Sequence, residues 1–307
     1  MSKYFNKILY METYSTSQIE VLTGISAHKL RIWERRYSFL KPERTETNIR
    51  FYSPYQLTKL LNVSVLTRNG YRISKIDKMA DEEIYECVTN ILISDSSEHQ
   101  DEINVLILHM VEYNEKEFNK IYQRSILRRG FLLTITDIIY PFLNQIGILW
   151  GTNKVIVSQE HFISNLIRQK IIAAIDTLPI TIENAPSIAL FLLDNEDHEI
   201  GLLLSYFIAK NLGWRVYYFG QRVPSDNIPV MVEKVSPDVM MTLIINPRSE
   251  SEIAHIENIF SKMSHIPFLI SGGVFSKNIF KDCSQCNYID GPHDFIDFLK
   301  KKKGLKG

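Results

Sequence analysis

The residues best suited to chemistry stand together in Glu196-Asp-His198-Glu-Ile-Gly201, directly behind the apolar run Ile188–Leu193. An imidazole on a strand-to-helix loop can ligate a transition metal through one ring nitrogen. A carboxylate two residues away can hold the other nitrogen, which fixes the tautomer and raises the ligand's basicity. Gly201, three residues on, lets a flat ligand approach the backbone. Taken alone, these six residues also fit a purely structural histidine.

Three later stretches strengthen the ligand reading. Phe219-Gly220-Gln-Arg-Val-Pro224 closes a second apolar run, Thr242-Leu-Ile244 lies on a third ahead of Asn246-Pro247, and Gly272-Gly273 closes a fourth. Placed at the ends of neighbouring strands, they give His198 small polar groups and closely approachable backbone. A separate pattern sets Trp150, nine intervening residues, and then Glu160-His161. The pair Cys283-x-x-Cys286 has no second cysteine pair or histidine run to complete a zinc site and is read as incidental. Lys300–Lys303 reads as a solvated helix end favoured by the macrodipole, with a weak DNA contact as the alternative.

The elements that must position these residues follow from periodicity. From Ile188 onward, short apolar runs alternate with amphipathic stretches: strands at Ile188–Leu193, Arg215–Phe219, Val239–Ile245 and Phe268–Ser271, helices near 199–211, 225–235 and 249–263, and a last strand and helix near 287–301. Strands separated by helix-length segments imply right-handed crossovers and a parallel sheet covered on both faces. Ligands bind such sheets outside the carboxyl ends of the strands, where His198 falls. Residues 79–178 carry helical spacing throughout, with helices expected near 81–93, 101–124, 127–149 and 157–177, and the two prolines of 177–186 mark a linker.

At 307 residues, with 45% hydrophobic and 23% charged residues, the chain suits two or three ordinary globular domains. No apolar run approaches the roughly 20 residues that span a bilayer. The first residues lack a signal-peptide core, and three cysteines make no secreted disulfide framework, which points to a cytoplasmic location without a membrane partner. The net charge of zero conceals a division: residues 1–78 hold 14 Lys+Arg against 6 Asp+Glu, leaving 21 against 29 in the rest. A basic unit on an acidic body suits nucleic acid, although a solvated basic face would give the same count.

Within that basic unit, Ser17-Gln-Ile-Glu20 has capping-box spacing, Thr23-Gly24-Ile25 makes a turn, and Ser26 can cap a second helix through about Tyr37. Two short helices joined this way match a helix-turn-helix. On the second, Leu30, Trp33 and Tyr37 share a packing face, while His28, Lys29, Arg31 and Arg35 offer donors to phosphates and base edges. Ile32 lies nearer the polar face, either buried against a neighbour or touching thymine methyls.

Taken together, W-E-R-R-Y at 33–37, P-x-R-T at 42–45 and R-F-Y-S at 50–53 resemble the MerR-family DNA-binding domain over Ser15 to about Arg72. That resemblance implies a winged helix-turn-helix on palindromic double-stranded operator DNA. It assigns Arg31, Arg35 and Arg36 to the recognition helix, and Arg44, Arg50 and Tyr52 to the wing. The glycine usual near Thr47 or Asn48 is missing, and no long coiled coil follows residue 78, so self-association must use other surfaces.

The strand-edge residues of 185–300 resemble the cobalamin-binding domain of methionine synthase and corrinoid proteins. The resemblance implies His198 as the cobalt axial ligand, Glu196 and Gly201 as the flanking positions of its motif, and Thr242, Ile244, Gly272 and Gly273 along the nucleotide tail. Thr242 stands where the family has serine. Trp150, Glu160 and His161 in turn resemble the signature of the CarH/LitR class of MerR-type, adenosylcobalamin-dependent photoreceptors, in which a four-helix cap covers the corrin's upper face. Members of that class carry a histidine after the tryptophan; Gly151 stands there in this sequence.

The expected architecture is therefore multidomain α and α/β. A winged helix-turn-helix spans 1–78, a four-helix-bundle cap 79–183, and a flavodoxin-like parallel α/β cobalamin domain 184–307. The expected function is that of a non-enzymatic repressor, a homodimer or tetramer that leaves its operator when light breaks the cobalt–carbon bond. Two alternatives stand beside it: a light-independent cobalamin-responsive or apo regulator with a protein partner at its sensor, and a corrinoid methyl-carrier or mutase subunit.

Overall fold

A computed structural model of the chain describes residues 13–45, 47–93, 99–150, 157–246, 248–263, 265–272 and 286–304. It divides into two compact units, Met1–Ile163 and Ser164–Gly307.

The first unit begins with β1 (Tyr14–Ser15), α1 (Thr16–Thr23) and α2 (Ala27–Arg36). Ser15 caps α1: its side chain accepts from the Gln18 amide, and the Gln18 side chain returns to the Ser15 amide. The capping box thus lies two residues before the expected Ser17 and Glu20. Gly24, at φ 71°, ends α1 in the left-handed turn that glycine alone adopts without strain, and Ser26 caps α2 as expected. The wing is β2 (Glu43–Arg44) and β3 (Arg50–Tyr52), joined by β1 into an antiparallel sheet of order β1-β3-β2. Asn48 takes φ 65° at its tip, so asparagine fills the left-handed position in place of the missing glycine.

Helices follow: α3 (Pro54–Arg68), α4 (Ile73–Ile76), α5 (Asp81–Ile93), α6 (His99–Val111) and α7 (Glu115–Thr134), then a π turn at Ile135–Ile139, α8 (Tyr140–Trp150) and α9 (Val157–Thr177). The single helix expected over 101–124 breaks at Tyr113, which has φ 53°, and Asn114 caps the new one. The break expected near 125 is absent; the path instead bends at Gly130 (φ 80°, ψ 167°). All residues from Leu60 to Leu66 in α3 and from Asp101 to Val111 in α6 are buried. A helix without a solvent face is a core helix. Val63, Leu66 and Ile76 share one hydrophobic cluster with Ile84, Val88 and Val105, so no boundary between compact units falls near residue 78.

The second unit holds β4 (Ser187–Leu193), α10 (Glu199–Asn211), β5 (Arg215–Val223), α11 (Ile228–Val235), β6 (Val239–Ile244), α12 (Glu250–Ser261), β7 (Phe268–Gly272), β8 (Cys286–Tyr288) and α13 (Pro292–Gly304). All strand pairs are parallel, in the order β5-β4-β6-β7-β8. Every residue of β4 and β6 is buried, the near-continuous apolar signature of strands covered on both faces. The chain reverses its direction of strand addition between β4 and β6, which opens a crevice at their carboxyl ends.

Candidate nucleic-acid interface and metal-ligand site

In the first unit, α2 buries Leu30 and leaves His28, Lys29, Arg31, Arg35 and Arg36 exposed as donors, with Ile32 half-buried among them. The wing arginines are arranged differently. Arg44 Nη2 and Arg50 Nε donate to the two carboxylate oxygens of Glu34 at 2.5 and 2.6 Å, and Arg44 Nη1 donates to Asn48 at 2.8 Å. Burial pushes the Glu34 carboxyl up, but the two guanidinium groups outweigh it and hold the group below the ordinary carboxylate range. Glu34 thereby clasps the wing to the recognition helix, a role that residue spacing does not reveal because its partners lie 10 and 16 positions away. Tyr52 departs from its expected place: it is 1% exposed and hydrogen-bonds the Thr16 side chain, so it packs beneath the wing instead of facing outward.

All three residues expected above a corrin also lie in this unit. His161 Nδ1 is 2.7 Å from Glu160 Oε2 in the first turn of α9. Trp150 ends α8, and Gly151 lies outside the described residues.

In the second unit, His198 stands at the start of α10, just past the carboxyl end of β4. Its Nδ1 meets Glu196 Oε1, and Glu196 Oε2 accepts from the backbone amides of Ile245 and Asn246 at 2.9 and 3.0 Å. Glu196 is fully buried. Burial alone would raise its pKa, but the hydrogen bonds from His198 and the two amides bring it down to about 2, which keeps the group a carboxylate. The arrangement ties the loop after β4 to the loop after β6 through one side chain. It also commits Nδ1 to the carboxylate, so a ligating role falls to Nε2.

Neighbouring residues hold the loop. Asp197 forms a two-pronged ion pair with Arg222 (2.6 and 2.8 Å), and Asp194 accepts from the Ser225 amide and hydroxyl. Glu199 receives Arg168 at 2.7 Å and the Tyr218 hydroxyl at 2.9 Å. Sequence spacing does not reveal these partners, since each lies some 25 to 31 positions away for all but Tyr218, 19 positions off.

The remaining strand-edge residues divide. Thr242 is fully buried, and its hydroxyl has no hydrogen-bond partner among the described residues. Ile244 is buried at the end of β6 within the cluster under α11 and α12. Gly220 sits at a register shift between β4 and β5 with φ 75°. Gly201 and Gly272 have structural reasons nearer than a ligand. A Cβ on Gly201 would lie 2.4 Å from Leu243 Cδ2, and one on Gly272, at φ 143°, 2.0 Å from the Ile244 carbonyl oxygen. Close helix–strand and strand–strand approach therefore favours glycine at both positions, independently of any ligand. Gly273 lies outside the described residues.

No helix among the described residues is long and apolar enough to cross a membrane. Residues 14–83 match the MerR HTH regulatory protein family, and residues 103–174 match the B12 binding domain. The HTH-type transcriptional repressor CarH of Myxococcus xanthus is 25% identical over 245 residues, covering 78% of this chain and 81% of CarH. CarA, an HTH-type transcriptional repressor of the same organism, is 26% identical over 261 residues, covering 82% and 83%. Among solved structures, the monomethylamine corrinoid protein of Methanosarcina barkeri superposes with a TM-score of 0.53 at 12% identity, over 67% of this chain and all of that one, which is a likeness of fold. The chain joins a DNA-binding MerR helix-turn-helix to a B12-binding domain and is a homologue of the CarH and CarA transcriptional repressors.

Proposed function

We propose that this cobalamin-responsive regulator represses transcription under the control of adenosylcobalamin, with His198 as the axial ligand of cobalt. The observation that carries the reading is the buried Glu196 carboxylate on His198 Nδ1, the partner that orients a metal-bound imidazole. Thr242 supports it: a buried hydroxyl without a partner costs roughly 1–3 kcal/mol, which a polar group of a bound nucleotide tail would relieve. Adenosylcobalamin supplies a cobalt–carbon bond that light can break.

The chain's own residues do the rest. Functionally, 1–78 reads DNA, 79–183 covers the cofactor and 184–307 holds it. Ile244 and Gly220 line the strand ends beside His198, and Gly273 completes the pair with Gly272. Trp150, Glu160 and His161 serve the upper face. His28, Lys29, Arg31, Arg35 and Arg36 meet the operator, with Arg44 and Arg50 positioning the wing on phosphates. A dimer or tetramer matches a palindromic operator, and a ligand that favours the assembled state drives repression.

A second reading, favoured by Gly151, makes the response light-independent: the position that would hand a second histidine to cobalt lacks one. Sizing in the dark with adenosylcobalamin, then after green light, separates the two. A large species that dissociates on illumination supports photoreception, and one that persists supports the second reading. If no histidine-ligated cobalt spectrum forms in the dark, the cofactor assignment fails.

A further inference from the structure

The two glutamines that follow from the fold, Gln145 and Gln159, have no part in the reading above, yet both enter the DNA-reading head. Gln145 lies on α8, five residues before Trp150. Its Nε2 donates to the carbonyls of Val21 (2.5 Å) and Leu22 (3.1 Å). These carbonyls belong to the last turn of α1, where helix geometry leaves them without a partner in the helix. They lie three and two residues before Gly24, the residue whose left-handed turn sets the angle between α1 and the recognition helix α2. Gln159, adjacent to Glu160 and 1% exposed, donates to the Val111 carbonyl at 3.1 Å and accepts from the Tyr14 hydroxyl at 3.5 Å. Tyr14 pairs with Tyr52 in the wing sheet.

Behind these two links lies a third. The fully buried Asp101 of α6 accepts from Arg68 (2.9 Å) and Asn69 (2.8 Å) at the end of α3. Breaking such a buried pair strands a charge, so α3 and α6 move together or not at all.

We infer that the helices carrying the upper-face residues pass their displacement directly into the helix-turn-helix, through Gln145 to the α1–α2 turn and through Gln159 to the wing. Cobalamin state then alters the DNA affinity of each protomer, in addition to any effect on assembly. The links are polar and shape-specific, set in close-packed surroundings that shift between discrete arrangements rather than deforming smoothly. The part of this inference that concerns cobalamin rests on the function proposed above; the mechanical link does not.

The test uses the full chain with Gln145→Met and Tyr14→Phe, singly and together, because each removes polar atoms at nearly constant volume. Without cobalamin, hydrogen exchange at the amides of 21–25 should accelerate in Gln145→Met, and that of 14–16 in Tyr14→Phe. With adenosylcobalamin in the dark, the double variant should keep the wild-type cobalt spectrum. Its cobalamin-dependent change in affinity for a duplex selected by the wild type from a random library should shrink about fivefold or more, within the usual range of coupling between sites. Unchanged exchange together with an unchanged affinity ratio overturns the inference. So does a ratio that follows only the mass of the assembly, measured by light scattering on the same samples. A wild type that binds no cobalamin sinks the proposed function instead, and the exchange arm still decides the mechanical link.

Discussion

Two carboxylates organise the two units in different ways. Glu34 gathers side chains: Arg44 and Arg50 come from separate wing strands to a partly exposed acid on the recognition helix. Glu196 gathers backbone: it takes the amides of Ile245 and Asn246 and spends its other oxygen on a single imidazole, with no solvent exposure. Both groups sit below the ordinary carboxylate range, Glu196 at about 2. The difference fits the two proposed roles. A wing that meets phosphates would need cations that stay charged and sit near the surface. A loop that holds a metal would need one ring kept in one tautomer by a group that cannot swing away.

The comparison predicts a graded series. Removing the held imidazole has the largest effect: His198→Ala should abolish the histidine-ligated cobalt spectrum, and an unchanged spectrum would show that cobalt takes another ligand. Glu196→Ala should weaken adenosylcobalamin by about 10–100-fold, the usual cost of losing a ligand's orienting partner. It should also lower thermal stability without ligand, because the backbone amides of Ile245 and Asn246 lose their acceptor and the loop after β6 loses its tie to the loop after β4. If Glu196→Ala binds as well as wild type, the carboxylate is a structural loop tie only.

On the DNA side, Arg35→Ala should cost about 1–3 kcal/mol of operator affinity if it reads a base, or reduce the salt slope by about 0.9 if it meets a phosphate. Glu34→Gln should do less, under about 1 kcal/mol, because its ion pairs are partly exposed. Its effect has a pH signature. The folded pKa lies below the ordinary 4.5, so the clasp contributes fully above 4.5 and is lost as the pH falls through the lowered value. Stability of the wild type should therefore drop more steeply in acid than that of Glu34→Gln, and parallel acid denaturation curves would remove Glu34 from the account.

The smallest expected effect is at Thr242. Thr242→Val replaces an unpartnered hydroxyl with a methyl group of similar size, so stability without ligand should hold or rise slightly, while cobalamin affinity falls. Equal affinity would leave the hydroxyl without a role toward the nucleotide tail.

Much of the second unit is legible because buried parallel strands are written as near-continuous apolar runs. Ile188–Leu193 and Val239–Ile244 need no partner to be recognised. The helical stretch was harder. Tyr113 breaks a helix without glycine or proline, and a π turn over Ile135–Ile139 shifts the phase on which periodicity depends. His198 and Glu196 were legible as neighbours two positions apart, whereas Asp197–Arg222 and Glu34–Arg50 depend on loop and wing geometry that spacing does not encode. Gly201 and Gly272 are legible as special positions from the strand-end pattern, but the close approach of Leu243 and of the Ile244 carbonyl, which also calls for glycine there, is not.

The all-round burial of Leu60–Leu66 in α3 also limits how this regulator can exchange parts. A DNA-reading head cut at residue 78 and joined to another sensor would bring Val63, Leu66 and Ile76 without the Ile84, Val88 and Val105 that cover them. Such a chimera would expose an apolar face and leave Asp101 without Arg68 in the donor sensor. Recombination that preserves folding should therefore carry the head together with α5 and α6. New operator specificity is then easier to reach by substitution on the exposed face of α2 than by replacing the head.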